Sequence, residues 1–339
     1  MSVSNYASIV GRIRVLETKF IKESDIERMV GAKSLKDAFL RMRELDTMRD
    51  IKDDCSEYNF NYIINKFLER EKDFIKKGNP VKGSLKFIWY EYDAHNMKVL
   101  LKARLKKLDK KEYSSALYYN MGNIDVSDME DFVLNDKKLP IGSPEQFHSY
   151  KERVLRYYDD LKNIQIVDFM IDRMYLKLAL DIASKTKSNL IINFIKHRID
   201  LTNVRTFLRG QSLMEDVDLI SRAFIMGGFI PYSIFETYFS KPTLEFINSV
   251  SGKEYSDLLS IGYKSYKEEN SYVLLEKLID EYLLSLLHET KYYLFGPEIL
   301  FAYYWVQRNS AQMLKLVLLG KLNNLSNDAI LKRLRKVTL

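Results

Sequence analysis

The side chains with the most obvious capacity for chemistry are the four histidines and the single cysteine. A histidine can act as a general base or bind a metal, and a cysteine thiolate can act as a nucleophile. The histidines lie far apart in the chain, none belongs to a His-Glu-x-x-His zinc pattern, and one cysteine cannot form a Cys-type metal site. These residues are His95, His148, His197, His288 and Cys55. The sequence therefore predicts no catalytic residue, no metal site and no cofactor.

Two short stretches have part of the pattern of a phosphate-binding Walker A loop. Gly31-Ala32-Lys33-Ser34 lacks the Gly-Lys pair, and Ile26 stands where the motif needs its earlier glycine. Gly320-Lys321 is followed by Leu322, where the motif has serine or threonine. We therefore expect that this chain does not hydrolyse nucleotide and is not an enzyme.

A polar motif recurs in segments that have a helical pattern. Residues 93–102 and 200–209 share an aspartate, an asparagine three residues later, two basic residues and an apolar pair, at an offset of 107 residues. A weaker third copy, residues 309–317, has Asn309 in place of the aspartate and Gln312 in place of the asparagine. The residues of the motif are Asp93, Asn96, Asp200, Asn203, Arg205 and Gln312.

The aspartate and the asparagine of this motif lie on one face of a helix, because they are three residues apart. Asparagine inside a helix is mildly unfavourable, so we expect it to hydrogen-bond a specific partner. One interpretation is a polar clasp that holds neighbouring helices together, and the other is a polar lining that contacts a partner protein. We favour the clasp, since a buried asparagine is usually satisfied within its own domain.

Apolar periodicity repeats at nearly the same interval as the polar motif. The stripe of a helix predicted over 164–184 recurs 108 residues later, and its first three positions recur 107 residues earlier, where the match ends at Glu71. Apolar stripes alone are weak evidence, because any two amphipathic helices can be placed in register. A further similarity follows the first two copies, since Met121-Gly122-Asn123-Ile124 resembles Met226-Gly227-Gly228-Phe229. The central stripe comprises Val167, Ile171, Met174 and Leu178.

These offsets predict three related units, residues 1–118, 119–225 and 226–339. Solenoid repeats are much shorter, about 20–50 residues. We therefore expect each unit to be a helical-bundle domain with its own core, in which a pair of long helices forms an antiparallel hairpin.

The composition favours an all-α fold. Only 13 glycines and 6 prolines are present among 339 residues, too few for the many tight turns of an all-β protein. Pro231 and Pro297 suit the first turn of a helix, and no stretch shows the alternation of a strand. The predicted helices cover 3–21, 60–75, 85–108, 145–160, 164–184, 188–209, 213–226, 231–239, 254–266, 270–290, 297–319 and 326–337.

Charge and hydropathy predict a soluble chain that does not cross a bilayer. The net charge is +7, but most basic residues are interspersed with acidic ones. The densest basic stretches, residues 102–111 and 332–336, have the pattern of solvated helix C-termini. The N-terminus lacks a signal-peptide pattern, and no apolar run approaches the roughly 18 residues of a membrane span. A single cysteine excludes an intramolecular disulfide.

Four segments resemble the central-stalk C subunits of the A/V-type rotary ATPases, whose eukaryotic counterparts are called d subunits. The resemblance extends over essentially the whole chain, and a threefold internal repeat is typical of that family. Gln312 in place of asparagine and Gly11 in place of the commoner alanine or asparagine depart from the family pattern. The segments are residues 6–19, residues 91–101, Asp200-x-x-Asn203-x-Arg205-x-x-Leu208-Arg209, and Gly320-Lys321-Leu322-Asn323 with the following helix.

The resemblance implies an all-α fold of three domains around a pseudo-threefold axis, shaped as a funnel with a central cavity. It also implies a non-catalytic socket in the rotor, whose cavity receives the central shaft and whose apex rests on the membrane rotor ring. Such a socket couples ATP hydrolysis or synthesis to proton or sodium translocation. It is peripheral, on the cytoplasmic face of the membrane, present once per complex and monomeric alone, without nucleic acid or cofactor.

Two other functions remain open from the residues alone. The basic balance would suit a helical nucleic-acid-binding protein, provided that lysines and arginines gather on one face with aromatic residues for stacking. The chain could also be a general helical scaffold that holds other proteins together.

Overall fold

The computed structural model describes residues 6–51, 55–212, 221–251 and 255–337. In these ranges every regular element is a helix, which confirms the predicted all-α class. The α-helices are α1 Ala7–Glu17, α2 Glu23–Val30, α3 Leu35–Glu44, α4 Phe60–Gly78, α5 Lys86–Lys106, α6 Lys110–Tyr113, α7 Val126–Leu134, α8 Glu145–Leu161, α9 Gln165–Ser184, α10 Asn189–Ser212, α11 Tyr232–Tyr238, α12 Thr243–Ser251, α13 Ser256–Glu269, α14 Val273–Ser285, α15 Pro297–Leu322 and α16 Asn327–Leu331.

The long predicted helices agree with α5, α9, α10 and α15 to within a few residues. The helix predicted over 213–226 falls largely outside the described residues. The two terminal helices are shorter than predicted, since α1 ends at Glu17 and α16 at Leu331. Pro297 occupies the first turn of α15, as expected for a residue without an N–H to satisfy.

The chain forms two compact units. The first comprises residues 1–82 together with 255–339, and the second comprises residues 83–254. The three related units 1–118, 119–225 and 226–339 were defined by similarity of sequence, whereas these two units are defined by contacts. The division into three therefore stays a prediction.

In the first unit, α15 is the central helix. It packs against α1, α2, α3, α4 and α16, and its buried residues lie on all sides of the helix. A helix that is apolar around its whole circumference belongs in a core. The remaining pair of this unit, α13 and α14, packs closely at Gly262, where the two backbones approach each other.

In the second unit, α9 is the central helix. It packs against α5, α8 and α10, and α5 packs in turn against α7. Helices α9 and α10 follow each other directly, with residues 185–188 between them, and form the kind of hairpin expected from the sequence. The long helices α5, α9 and α10 thereby bring the two copies of the polar motif into one unit.

We expect Gly262→Ala to lower the free energy of unfolding by about 1–3 kcal/mol, as overpacking of a closed interface does. A Cβ atom at this position would lie 2.6 Å from Leu275 Cδ1 and 2.9 Å from Leu275 Cβ. Gly11→Ala is the matched control, because a Cβ on this exposed helical glycine meets nothing within 4 Å. It should stabilise the chain by about 0.5–1 kcal/mol. Chemical denaturation of both variants checks the pair, and an unchanged Gly262→Ala would contradict the close packing.

Candidate functional site

The first copy of the polar motif binds the chain segment that follows its helix. Asp93 is fully buried in α5, and its carboxylate oxygens accept backbone N–H bonds from Asn123 at 2.8 Å and Ile124 at 3.1 Å. One turn away, Asn96 Oδ1 accepts from Tyr118 N at 2.8 Å while its Nδ2 donates to Tyr118 O at 3.0 Å. The side-chain amide of Asn96 thus satisfies both the N–H and the C=O group of Tyr118.

The second copy repeats this arrangement atom for atom. Asp200 is fully buried in α10 and accepts from the backbone N–H groups of Phe229 and Ile230, both at 2.9 Å. Asn203 accepts from Ile225 N at 2.9 Å and donates to Ile225 O at 2.8 Å. In both copies, therefore, the aspartate and the asparagine of one helix hold the backbone of an irregular segment by four hydrogen bonds. We refer to each arrangement as a polar clasp.

Each clasp requires a glycine beside its carboxylate. A Cβ atom on Gly122 would lie 1.8 Å from Asp93 Oδ1, and one on Gly228 would lie 2.1 Å from Asp200 Oδ1. The structural counterpart of Gly122 is thus Gly228, whereas the sequence similarity had aligned Gly122 with Gly227. The alignment is shifted by one residue because it follows the methionines rather than the amide groups that bind the carboxylate.

The remaining motif residues lie elsewhere. Gln312 is exposed on α15, and the neighbouring Asn309 is the buried amide, which donates to Lys336 O. The third copy thus has a different bond from that of Asn96 and Asn203. Arg205 lies half-buried on α10.

Ion pairs that the sequence analysis missed connect α5, which bears the first clasp, to α9. Lys98 and Lys102 on α5 pair with Asp172 and Asp168 on α9, and Lys102 Nζ lies 2.7 Å from both carboxylate oxygens of its partner. The two lysines are four residues apart on α5, and the two aspartates are four residues apart on α9. This matching spacing could identify the pairs from the sequence only if the two helices were already known to be antiparallel neighbours. The sequence around each residue does not identify its partner, because the paired residues are 74 and 66 positions apart in the chain.

A second ionic contact joins α5, α9 and α10. Arg198 on α10 contacts Glu91 on α5 at 2.6 Å and Tyr175 on α9 at 2.9 Å, with both charged side chains largely buried. Burial alone would lower the pKa of Arg198, but the charge of Glu91 and the Tyr175 phenol outweigh it and raise the pKa. Nearby, burial and the charge of Asp93 raise the pKa of Tyr90 to about 12. Arg198 and Tyr90 therefore remain protonated throughout the neutral range.

The histidines lie in separate environments. His95 contacts Ala116 O at 2.9 Å, and His148 and His197 pack against phenylalanine rings. Burial and the charges of two lysines lower the pKa of His288. In the ranges that the structure describes, no group of three or more histidine, cysteine or acidic side chains could hold a metal ion.

The two partial phosphate motifs do meet, across one cleft of about 660 Å³ in the first unit. Two of their polar side chains make bonds within the chain. Lys321 Nζ donates to Ala32 O at 2.7 Å and to Asn327 Oδ1 at 2.8 Å, and the Ser34 hydroxyl accepts the bond of Asp37 N that caps α3. These contacts stabilise helix ends and are not arranged as a phosphate cradle. Among the helices that the structure describes, none is long and apolar enough to cross a membrane.

Comparison with known proteins yields consistent matches over almost the whole chain. The family model described as ATP synthase (C/AC39) subunit matches residues 9–333. The C subunit of the V-type sodium ATPase of Enterococcus hirae is 24% identical, over 96% of this chain and 96% of that protein. The C subunit of the A-type ATP synthase of Methanocaldococcus jannaschii is 22% identical, over 97% of this chain and 86% of that protein. A third relative, the A-type ATP synthase C subunit of Methanococcoides burtonii, is also 22% identical, over 98% and 95%.

The polar clasp around Asp200 should contribute to the stability of the folded chain. Asp200→Ala should lower the free energy of unfolding by about 2–4 kcal/mol, because two amide groups lose the acceptor that replaces water. Gln312→Ala is the matched control from the third copy of the motif, and it should change stability by less than about 0.5 kcal/mol because its side chain is exposed. Denaturant titration of the purified variants measures both values. Equal effects of the two substitutions would contradict the assignment of the clasp to Asp200.

Proposed function

The chain belongs to the ATP synthase (C/AC39) subunit family, and we propose that it is the non-catalytic central-stalk subunit of a V-type or A-type ATPase. In this proposal it links the central shaft of the ATP-hydrolysing head to the membrane rotor ring. The observation that carries the proposal is the family match from residue 9 to residue 333.

The proposed arrangement is a funnel of three related helical domains around a pseudo-threefold axis. The cavity of the funnel receives the end of the shaft, and its apex rests on the ring at the cytoplasmic face of the membrane. Rotation is then passed on during ATP hydrolysis or synthesis, together with proton or sodium translocation. The two polar clasps share the same four bonds between a helical Asp-x-x-Asn pair and the backbone of a following segment, which supports the duplication on which this arrangement depends.

A rotor component has to resist twisting, and the described helices have features that suit this task. Close-packed helix interfaces deform little. The clasps hold two irregular segments against their helices, and the lysine–aspartate pairs connect α5 to α9. These contacts are internal to the second unit and perform no chemistry.

The nucleic-acid alternative rests on a basic stretch whose charges are already partly neutralised. Lys102, Arg104 and Lys110 each pair with a carboxylate of the same unit, namely Asp168, Asp136 and Glu130. Phosphate binding would have to break or share these pairs. No contact of the described residues favours this alternative or a general scaffold over the ATPase role.

We expect the tagged chain, purified from membranes of its own cells, to bring down the shaft and rotor-ring subunits of an ATPase. Without the chain, the ATP-hydrolysing head is not connected to the rotor ring, so inhibitors of the ring do not affect hydrolysis. Adding the chain back to membranes stripped of peripheral proteins should therefore restore inhibitor-sensitive ATP hydrolysis. An equal amount of heat-denatured chain serves as the control. Recovery of the chain alone or with nucleic acid would contradict the proposed function.

A further inference from the structure

The basic stretch near the end of the chain is not the solvated helix end that its pattern predicted. Helix α16 ends at Leu331, so the basic residues follow the helix instead of forming its last turn. Val337 is 1% exposed, and the side chain of Arg335 is 20% exposed. We refer to residues 332–337 as the latch segment. Its second half is packed into the first unit.

The third copy of the polar motif holds the latch segment on α15. Asn309 Nδ2 donates to Lys336 O, and Met313 Sδ accepts from Arg335 N at 3.2 Å. In the first two copies, the aspartate of the same helix accepts two backbone amides. Here the amide of Lys336 donates instead to Glu281 Oε1, at 3.3 Å, and this carboxylate belongs to α14. The third copy therefore connects one segment to two helices.

Ion pairs add to the contact between the latch segment and α14. The Arg335 guanidinium pairs with the Asp280 carboxylate, one residue before Glu281 on the same helix. Lys332 Nζ lies 3.9 Å from Glu269 at the end of α13, but both side chains are mostly exposed and such a pair contributes little. The contact with the hairpin thus depends mainly on Arg335 and on the acidic residues of α14.

The α13–α14 hairpin has few other close attachments among the described helices. The two helices pack along each other, and neither packs along a third helix to a comparable extent. The short 3₁₀ turn His288–Tyr292 that follows α14 lies against α15. Arg14 of α1 also donates to Thr290 O and Tyr293 O, both at 3.1 Å. These bonds fix one end of the hairpin, and the latch segment attaches it at a second place.

We propose that residues 332–337 form an ionic latch, which holds the α13–α14 hairpin on α15 and whose release lets the hairpin open about the turn 288–292 while α15 stays folded. The bonds to α15 keep the segment in position, and its charges reach across to α14. Because part of this contact is an ion pair near the surface, salt weakens it. The inference concerns contacts within one unit and does not depend on the proposed function.

Hydrogen–deuterium exchange of the purified full chain, read by mass spectrometry, tests the latch. Arg335→Gln removes the charge that pairs with Asp280 and leaves the backbone of the segment unchanged. We expect the amides of α13 and α14 to exchange at least about tenfold faster, because a local opening costs less free energy once a charged bond is lost. The amides of α15 and of the second unit should keep their wild-type rates.

Arg333→Gln is the matched control, since it removes the same charge from the same segment. The Arg333 guanidinium donates to Ala329 O within α16 and is exposed. Exchange in α13 and α14 should therefore stay at the wild-type rate. A charge swap, Arg335→Asp together with Asp280→Arg, should restore most of the protection that each single substitution removes, because the pair is re-formed with its signs reversed.

Ionic strength provides a measure that needs no substitution. Raising it from about 0.05 M to about 0.5 M should speed exchange in the hairpin of the wild type, and should have a much smaller effect on Arg335→Gln. Wild-type exchange of the hairpin in Arg335→Gln would overturn the proposal. Equal acceleration of α13, α14 and α15 would also overturn it, because the hairpin would then open only when the whole unit unfolds.

Discussion

The second unit depends on one interaction, a buried carboxylate that accepts two consecutive backbone amides. A segment that leaves a helix and returns across the core exposes N–H groups that no helix or strand satisfies, and leaving them unpaired is costly. Asp93 and Asp200 provide the acceptors from within a helix, where their own backbone groups are already paired. The amides can approach only if the residue before them has no side chain, which is why Gly122 and Gly228 stand there.

The clasps also determine how the long helices of this unit can pack. Because each carboxylate lies at 0% exposure, the segment it holds covers one face of its helix, and the opposite faces remain for contacts with α9. Lys98, Lys102 and Arg198 then make their ion pairs around that interface. Charge pairs of this kind contribute little when they are exposed, but partly buried pairs with good geometry restrict the register of the helices.

The sequence was sufficient to predict the all-α class, the long helices and a motif whose spacing is meaningful, since these follow from periodicity over neighbouring residues. It could not identify the partners of the motif. Asp93 and its amides are about thirty residues apart in the chain, and the connection between them follows no period that a pattern could detect. The same limit applies to Arg198 and Glu91, which are brought together only by the packing of three helices. At Gln312 the sequence predicted too much. The residue matches the asparagine of the motif, but its side chain is exposed and does not support a role as a clasp.

The position where the apolar repeat fails is the most informative of these differences. The stripe of α4 follows that of α9 for three positions and then meets Glu71, a charged residue at 4% exposure. A charge in place of a core residue is costly unless the surroundings compensate for it, and here Tyr303 and Arg70 both bind its carboxylate. The corresponding position of α9 is Leu178, a buried apolar residue. The two helices therefore fill the same buried position in different ways, α9 by apolar packing and α4 by a carboxylate whose hydrogen bonds compensate for its burial.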